Sequence, residues 1–88
     1  MAKVTIYTKP LCGYCTAAKH LLKSKGATWT EIDILDDEKL SEEMIQRSGG
    51  RLTTPQIFIN NKHIGGFDDL SALDQAGKLD MLLWRLVS

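Results

Sequence analysis

At the start of this chain two short β-rich runs, "KVTIY" at 3–7 and "TWTEIDI" at 28–34, bracket a helical stretch, "CTAAKHLLKSKG" at 15–26. Within that stretch Cys15, Ala18 and Leu22 share one helical stripe and Gly26 supplies a C-terminal stop. The order strand, turn, helix, strand predicts a parallel βαβ unit. "DDEKLSEEMIQRSGG" at 36–50 predicts a further helix, with acids in its first turn, where the positive helix end favours them, and a glycine stop. Beyond it "PQIFI" and "KHIGG" flank Asn60-Asn61, a pair tolerant of positive φ, which predicts a tight antiparallel hairpin and makes the sheet mixed. Helices over 67–77 and 78–88 close the fold, the second carrying Leu79, Leu82, Leu83 and Leu86 at i, i+3, i+4 and i+7. Trp29, Trp84, Met44 and Phe58 read as core or half-buried packing residues, and His20 and His63 as solvated or structural.

The 88 residues leave room for one domain, 1–88, with one core. Hydrophobic residues at 43% and charged residues at 25% match an ordinary soluble globular domain. The formal net charge is zero and no run of Lys or Arg forms a phosphate-tracking stripe, so nucleic acid is not an expected partner. The start "MAKVTIYTK" has no apolar stretch of signal-peptide length, and no run approaches the ~18 apolar residues of a membrane span. The expectation is a cytoplasmic protein with no membrane partner.

The two cysteines, in "YTKPLCGYCTAAK" at 7–19, admit three readings. Structural zinc normally takes four Cys or His ligands; beyond Cys12 and Cys15 the chain has only His20 and His63, and His20 is predicted to point elsewhere on its helix. A lone structural disulfide would not last in a reducing compartment, and one closing so short a loop constrains the unfolded chain little. Redox-active thiols are the favoured reading, with no metal. Cys12 falls at the junction of strand and helix, where unpaired backbone N–H groups and the positive helix end favour a thiolate. Cys15, one turn further in, is placed to attack a mixed disulfide formed on Cys12, while tighter packing leaves it less ionised. Lys9 adds a nearby cation that favours the thiolate further.

On "TKPLCGYC" at the end of the first strand, "TTPQIFIN" before the hairpin and "GGFDDL" at the start of the third helix, the chain resembles the glutaredoxins. The likeness covers nearly the whole sequence in family order and spacing. Tyr14 before the second cysteine is also similar to glutaredoxins rather than to thioredoxins, which typically carry Gly-Pro between their cysteines. The resemblance implies a thioredoxin fold, an α/β architecture whose four-stranded mixed sheet has strand order 2-1-3-4 and helices on both faces.

For the site, it implies that Pro55 is a cis-proline and that Thr54 offers its backbone N–H and C=O to the cysteinyl part of glutathione. The family more often has valine at the position of Thr54. Gly65 and Gly66 look like the family's glycine pair, which lets a ligand approach the main chain. The next helix offers its N-terminus to the γ-glutamyl carboxylate, and Asp68 or Asp69, usually the second, binds the ammonium group; Asp68 has N-capping as its other reading. Lys9, Tyr14 and Phe67 join the glutathione-binding set, Phe67 standing where many relatives carry a third cysteine. Arg47 and Arg51 are weaker candidates for the glycine carboxylate.

The implied activity is glutathione-dependent thiol–disulfide exchange on glutathionylated and disulfide-containing proteins, by a monomer. Cys12 is the nucleophile and Cys15 the resolving thiol, and the two form the redox disulfide. The rival reading is an iron–sulfur module. Gly13 stands where many dithiol relatives have proline, and a small residue there goes with a [2Fe–2S] cluster shared by a dimer through Cys12 of each chain and two glutathiones. A protein-disulfide oxidant, suited to secreted proteins, finds no signal peptide.

Overall fold

The computed structural model describes residues 1–84. Its elements are β1 (Val4–Thr8), α1 (Gly13–Ser24), β2 (Thr30–Asp33), α2 (Glu38–Arg47), β3 (Gln56–Ile59), β4 (Lys62–Gly65), α3 (Phe67–Gln75) and α4 (Leu79–Trp84). The sheet order is β2-β1-β3-β4, with β1 and β2 parallel and the β1–β3 and β3–β4 pairs antiparallel. The mixed sheet, its order and the hairpin follow the expected thioredoxin fold. Both turn asparagines adopt positive φ, Asn60 at 53° and Asn61 at 66°, the conformation of a two-residue hairpin turn.

β1 is central, and all five of its residues are buried. Its period-two alternation divides the core between the two faces of the sheet. Val4 and Ile6, with Ile57 and Ile59 of β3, pack against Ala18 and Leu22 of α1, Leu70 of α3, and Leu79 and Leu83 of α4. Tyr7 and Phe58 point the other way, onto Ile34 just after β2 and Met44 of α2. Helices therefore cover both faces. Burying each of these large side chains stabilises the fold by roughly 1.5–3 kcal/mol. At the β2 edge, the Glu31 carboxylate accepts the Thr8 hydroxyl at 2.8 Å and pairs with Lys19 at 3.2 Å. The Thr8 hydrogen bond, followed by Lys19, holds that carboxyl below its usual range against the opposing effect of burial.

Helix boundaries depart from the sequence expectations at the ends. α1 begins two residues before Cys15, because Cys12 itself is the N-cap. It ends before Gly26, which takes φ 73°. α2 is shorter than 36–50 because the Asp37 side chain caps Leu40 N–H at 3.0 Å and the chain turns away at Ser48 and Gly49. Trp84 is not core: it is 45% exposed, its indole N–H donating to the Lys25 carbonyl at 3.1 Å. Trp29 is half-buried, as expected. Of the predicted 78–88 helix, Leu86 and its neighbours at 85–88 lie outside the described residues. Among the described residues no helix is long and apolar enough to cross a membrane.

Candidate active site

Cys12 and Cys15 form a disulfide, with their Cα atoms 5.2 Å apart. Their environments differ. Cys15 is 2% exposed and packs under the first turn of α1, whereas Cys12 sits at the rim with Leu11 and Tyr14 exposed beside it. Leu11 reaches the cap through a left-handed φ of 56°. The Cys15 N–H donates to Cys12 Sγ at 3.1 Å, so the sulfur occupies the place of an ordinary capping oxygen. An acceptor there faces the helix's unpaired N–H groups, a setting that favours negative charge on sulfur.

On the other side of this sulfur lies the loop before β3. The Thr54–Pro55 bond is cis. The Thr54 carbonyl oxygen stands 3.7 Å from Cys12 Sγ and the Thr54 hydroxyl 3.6 Å. A groove of about 460 Å³ opens next to them, with Thr53, Thr54 and Pro55 on one wall and Gly66, Phe67, Asp68 and Asp69 on the other. Tyr14 closes one end, stacked on Phe67 with ring centroids 6.2 Å apart and planes 26° from parallel, and Arg51 also lines the groove. A larger depression of about 600 Å³ is lined by Thr16, Lys19, His20, Lys23 and Trp29, without residues of the Thr54–Pro55 loop or of the start of α3.

Of the residues the sequence assigned to glutathione, the groove gathers all but Lys9, which opens on a separate depression beside Ile34, Asp36, Asp37 and Glu38. The capping weighed for Asp68 is made by its neighbour. Asp69 accepts the Gly66 N–H at 2.9 Å and lies 3.7 Å from Arg51 Nη2, while the Asp68 side chain makes no hydrogen bond among the described residues. Capping therefore falls to Asp69. The two arginines separate as well. Arg51 reaches the groove, but Arg47 faces the opposite side of the sheet, donating to the Tyr7 hydroxyl and lying 4.3 Å from the Phe58 ring centroid. Tyr7 in turn donates to Glu43.

A polar chain that the sequence did not announce braces the groove wall. Gln56, fully buried in β3, donates its amide N–H to the Thr53 carbonyl at 3.0 Å and to the Thr53 hydroxyl at 3.3 Å. That leaves its amide oxygen toward His63 Nε2 at 2.7 Å, so Nε2 carries the proton. The only sequence signal was a glutamine inside an otherwise apolar run. Burial, and then the Arg51 charge, push the His63 pKa below 6.5, with Asp69 opposing. A lowered pKa in the folded state means that His63 contributes stability above its unfolded value and loses it as the pH falls through the folded value. Urea unfolding midpoints should therefore drop between pH ~7 and pH ~5, and the drop should be smaller in His63→Gln. Equal drops in both proteins would remove His63 from the acid response.

Residues 4–64 match the family model described as glutaredoxin. Glutaredoxin 3 of Escherichia coli K12 is 58% identical over 83 residues, 94% of this chain and 99% of that protein. The solution structure of glutaredoxin from Brucella melitensis superposes with a TM-score of 0.82 at 53% identity, covering 99% of this chain and 96% of that one. The crystal structure of a buckwheat glutaredoxin–glutathione complex superposes with a TM-score of 0.84 at 30% identity, covering 93% of this chain and 76% of that one. With a Cys-x-x-Cys pair opening its first helix beside a cis-proline loop, and with these relatives, the chain belongs to the glutaredoxin family and is a thiol–disulfide oxidoreductase.

Proposed function

We propose that this oxidoreductase uses glutathione as its reducing co-substrate and removes glutathione from mixed disulfides, with Cys12 as nucleophile and Cys15 as resolving thiol. The observation that carries this reading is the groove beside Cys12 Sγ, whose Thr54 backbone, helix N-terminus, aspartates and Arg51 suit the groups of one glutathione molecule. The buckwheat relative, crystallised as a complex with glutathione, supports it.

In the proposed cycle the Cys12 thiolate attacks the glutathione sulfur of a protein–glutathione disulfide. A Cys12–glutathione disulfide forms, the S–S bond between the protein sulfur and the glutathione sulfur breaks, and the protein leaves as a thiolate that takes a proton from solvent. A second glutathione thiolate then attacks the bound glutathione sulfur, giving glutathione disulfide and restoring Cys12. On a protein disulfide, Cys12 attacks first. Cys15 then displaces the reduced product, leaving the Cys12–Cys15 bridge for two glutathiones to reduce. The groove binds the tripeptide: the Thr54 main chain pairs with its cysteinyl unit, the start of α3 with its γ-glutamyl carboxylate, Asp69 with its ammonium group and Arg51 with its glycine carboxylate.

Asp69→Asn keeps an oxygen for the Gly66 N–H while removing the charge. It should lower kcat/KM on a glutathionylated substrate by an amount equivalent to about 1–3 kcal/mol, the range of charge-assisted hydrogen bonds. Asp68→Asn should cost less. Equal and negligible losses in the two variants, measured with a glutathionylated peptide, would overturn this placement of the tripeptide.

A further inference from the structure

Among the described residues Cys12 Sγ has three hydrogen-bonding neighbours, and two belong to one residue. The Cys15 N–H, the Thr54 hydroxyl and the Thr54 carbonyl lie 3.1, 3.6 and 3.7 Å from it. They act on the sulfur in opposite directions. A carbonyl oxygen can partner only a protonated thiol and repels a thiolate, whereas the hydroxyl and the N–H are donors that a thiolate accepts. Without its hydroxyl, Thr54 would present the nucleophile only with the oxygen that disfavours its charged form.

We propose that the Thr54 hydroxyl is a catalytic group of this protein, a donor to the Cys12 thiolate that sets the acidity of Cys12 and its strength as a leaving group. The inference rests on Cys12 being the nucleophile. The hydroxyl makes no other hydrogen bond among the described residues, so it is not committed to holding the loop together. That work falls to the preceding residue, whose carbonyl and hydroxyl both accept from the buried Gln56 amide, itself paired with His63. Thr54 is thus held from behind while its hydroxyl remains free to turn toward the sulfur. In the disulfide, Cys12 is a weak acceptor. Opening the bridge places a full charge on it without moving the donor, the arrangement in which a preorganised hydrogen bond gains most.

The consequences for exchange have opposite signs at low and high pH. A donor lowers the thiol pKa and enlarges the thiolate fraction, but each thiolate becomes less nucleophilic and a better leaving group when the second glutathione attacks. Removing the hydroxyl should therefore slow attack in acid and speed it in base.

The test uses the full chain carrying Cys15→Ser, so that a single thiol titrates, with Thr54 intact or changed to Val or Ser. Valine matches threonine in shape and lacks only the donor. Thiolate absorbance against pH should show the Thr54→Val midpoint raised by about one pH unit, toward the low end of a hydrogen bond to a charged group, with Thr54→Ser close to the parent. Alkylation by iodoacetamide should then be about 3-fold slower than the parent below both midpoints and about 3-fold faster above them, as a Brønsted slope near 0.4–0.5 requires. A merely structural role would move neither the midpoint nor the crossing of the two profiles. A Thr54→Val midpoint equal to the parent's, or one that Thr54→Ser shares, would overturn the assignment while leaving Cys12 as nucleophile. The underlying reading fails separately, if Cys12→Ser in the otherwise unaltered chain keeps its exchange activity.

Discussion

Replacing Cys12 by serine is expected to abolish exchange on every substrate, whereas Cys15→Ser should keep most of the activity on glutathionylated substrates and lose most of it on protein disulfides. The expectation follows from the different surroundings of the two sulfurs. Cys12 lies at the rim, beside the groove and at the cap of α1, and a serine oxygen there is neither ionised nor nucleophilic enough at neutral pH to replace it. Cys15 is buried under the first turn of α1. In the glutathione route its place as resolving thiol is taken by glutathione itself, so removing it can even raise the rate by preventing the unproductive internal bridge. In the disulfide route it must displace the product intramolecularly, an effective-concentration advantage that a serine hydroxyl cannot supply. Steady-state assays of both variants on a glutathionylated peptide and on a protein disulfide decide the matter. A Cys15→Ser protein as inactive as Cys12→Ser on the first substrate would contradict the assigned roles. Spectra of the same preparations, purified without oxygen, bear on the iron–sulfur reading: a cluster held through Cys12 would colour the Cys15→Ser protein and not Cys12→Ser.

The second large effect is expected at Gly65 and is a loss of folding stability. Gly65 has φ 121°, a conformation side chains rarely adopt, and a Cβ there would collide with the Asp69 carboxylate. Relieving the collision means moving Asp69 off the Gly66 N–H and away from Arg51. Backbone strain and the lost cap together should destabilise Gly65→Ala by about 2–4 kcal/mol. Gly66 makes the contrast. Its φ is −88°, and a Cβ would meet only the Pro55 carbonyl at 3.6 Å and Arg51 at 3.9 Å, both ordinary contacts. Gly66→Ala should therefore cost only about 1 kcal/mol, the difference between glycine and alanine at a helix N-cap. Its methyl group would fill the groove wall, and glutathione use should fall on the order of tenfold for a displaced main-chain contact. Denaturant unfolding and kcat/KM on the two variants separate the effects. A Gly65→Ala protein as stable as the parent, or a Gly66→Ala protein as active, would contradict this division.

Much of the scaffold was legible because its signals are local. The β-rich run at β1, the stripe of Cys15, Ala18 and Leu22, and the Asn60-Asn61 turn each announce an element without help from the rest of the chain. The groove was legible through resemblance more than through pattern. Nothing in the spacing of Thr54, Gly66 and Asp69 states that they meet. What escaped were choices of face and partner. Arg47 and Arg51 look alike beside a helix end, yet the first is turned under the sheet by the helix it belongs to, and the second is freed toward the groove by the turn at Gly49 and Gly50. Capping was weighed only for Asp68, but the reciprocal bond to the cap N–H is made from the third helical residue, which is Asp69. The helical run was read from Cys15, two residues late, although Cys12 was placed at the junction of strand and helix, because cysteine is not among the residues that ordinarily announce a cap. Gln56 was hidden in an apolar run because burying an amide is inexpensive only when both its ends are met, and Thr53 of the preceding loop and His63 of β4 meet them.

The sulfur that caps α1 ties three properties of the protein together. If Cys12 is the proposed nucleophile, a cap that strengthens as its acceptor becomes charged favours its thiolate in the folded protein over that in the unfolded chain, and by linkage that preference is folding free energy. The same interaction is weakened when the sulfur is tied into a disulfide, so it favours the reduced protein over the oxidised one and moves the couple toward the oxidising end of its scale. Acidity, helix stability and electron affinity are thus one quantity measured by three instruments, and a substitution at the first turn of α1 cannot tune any of them alone.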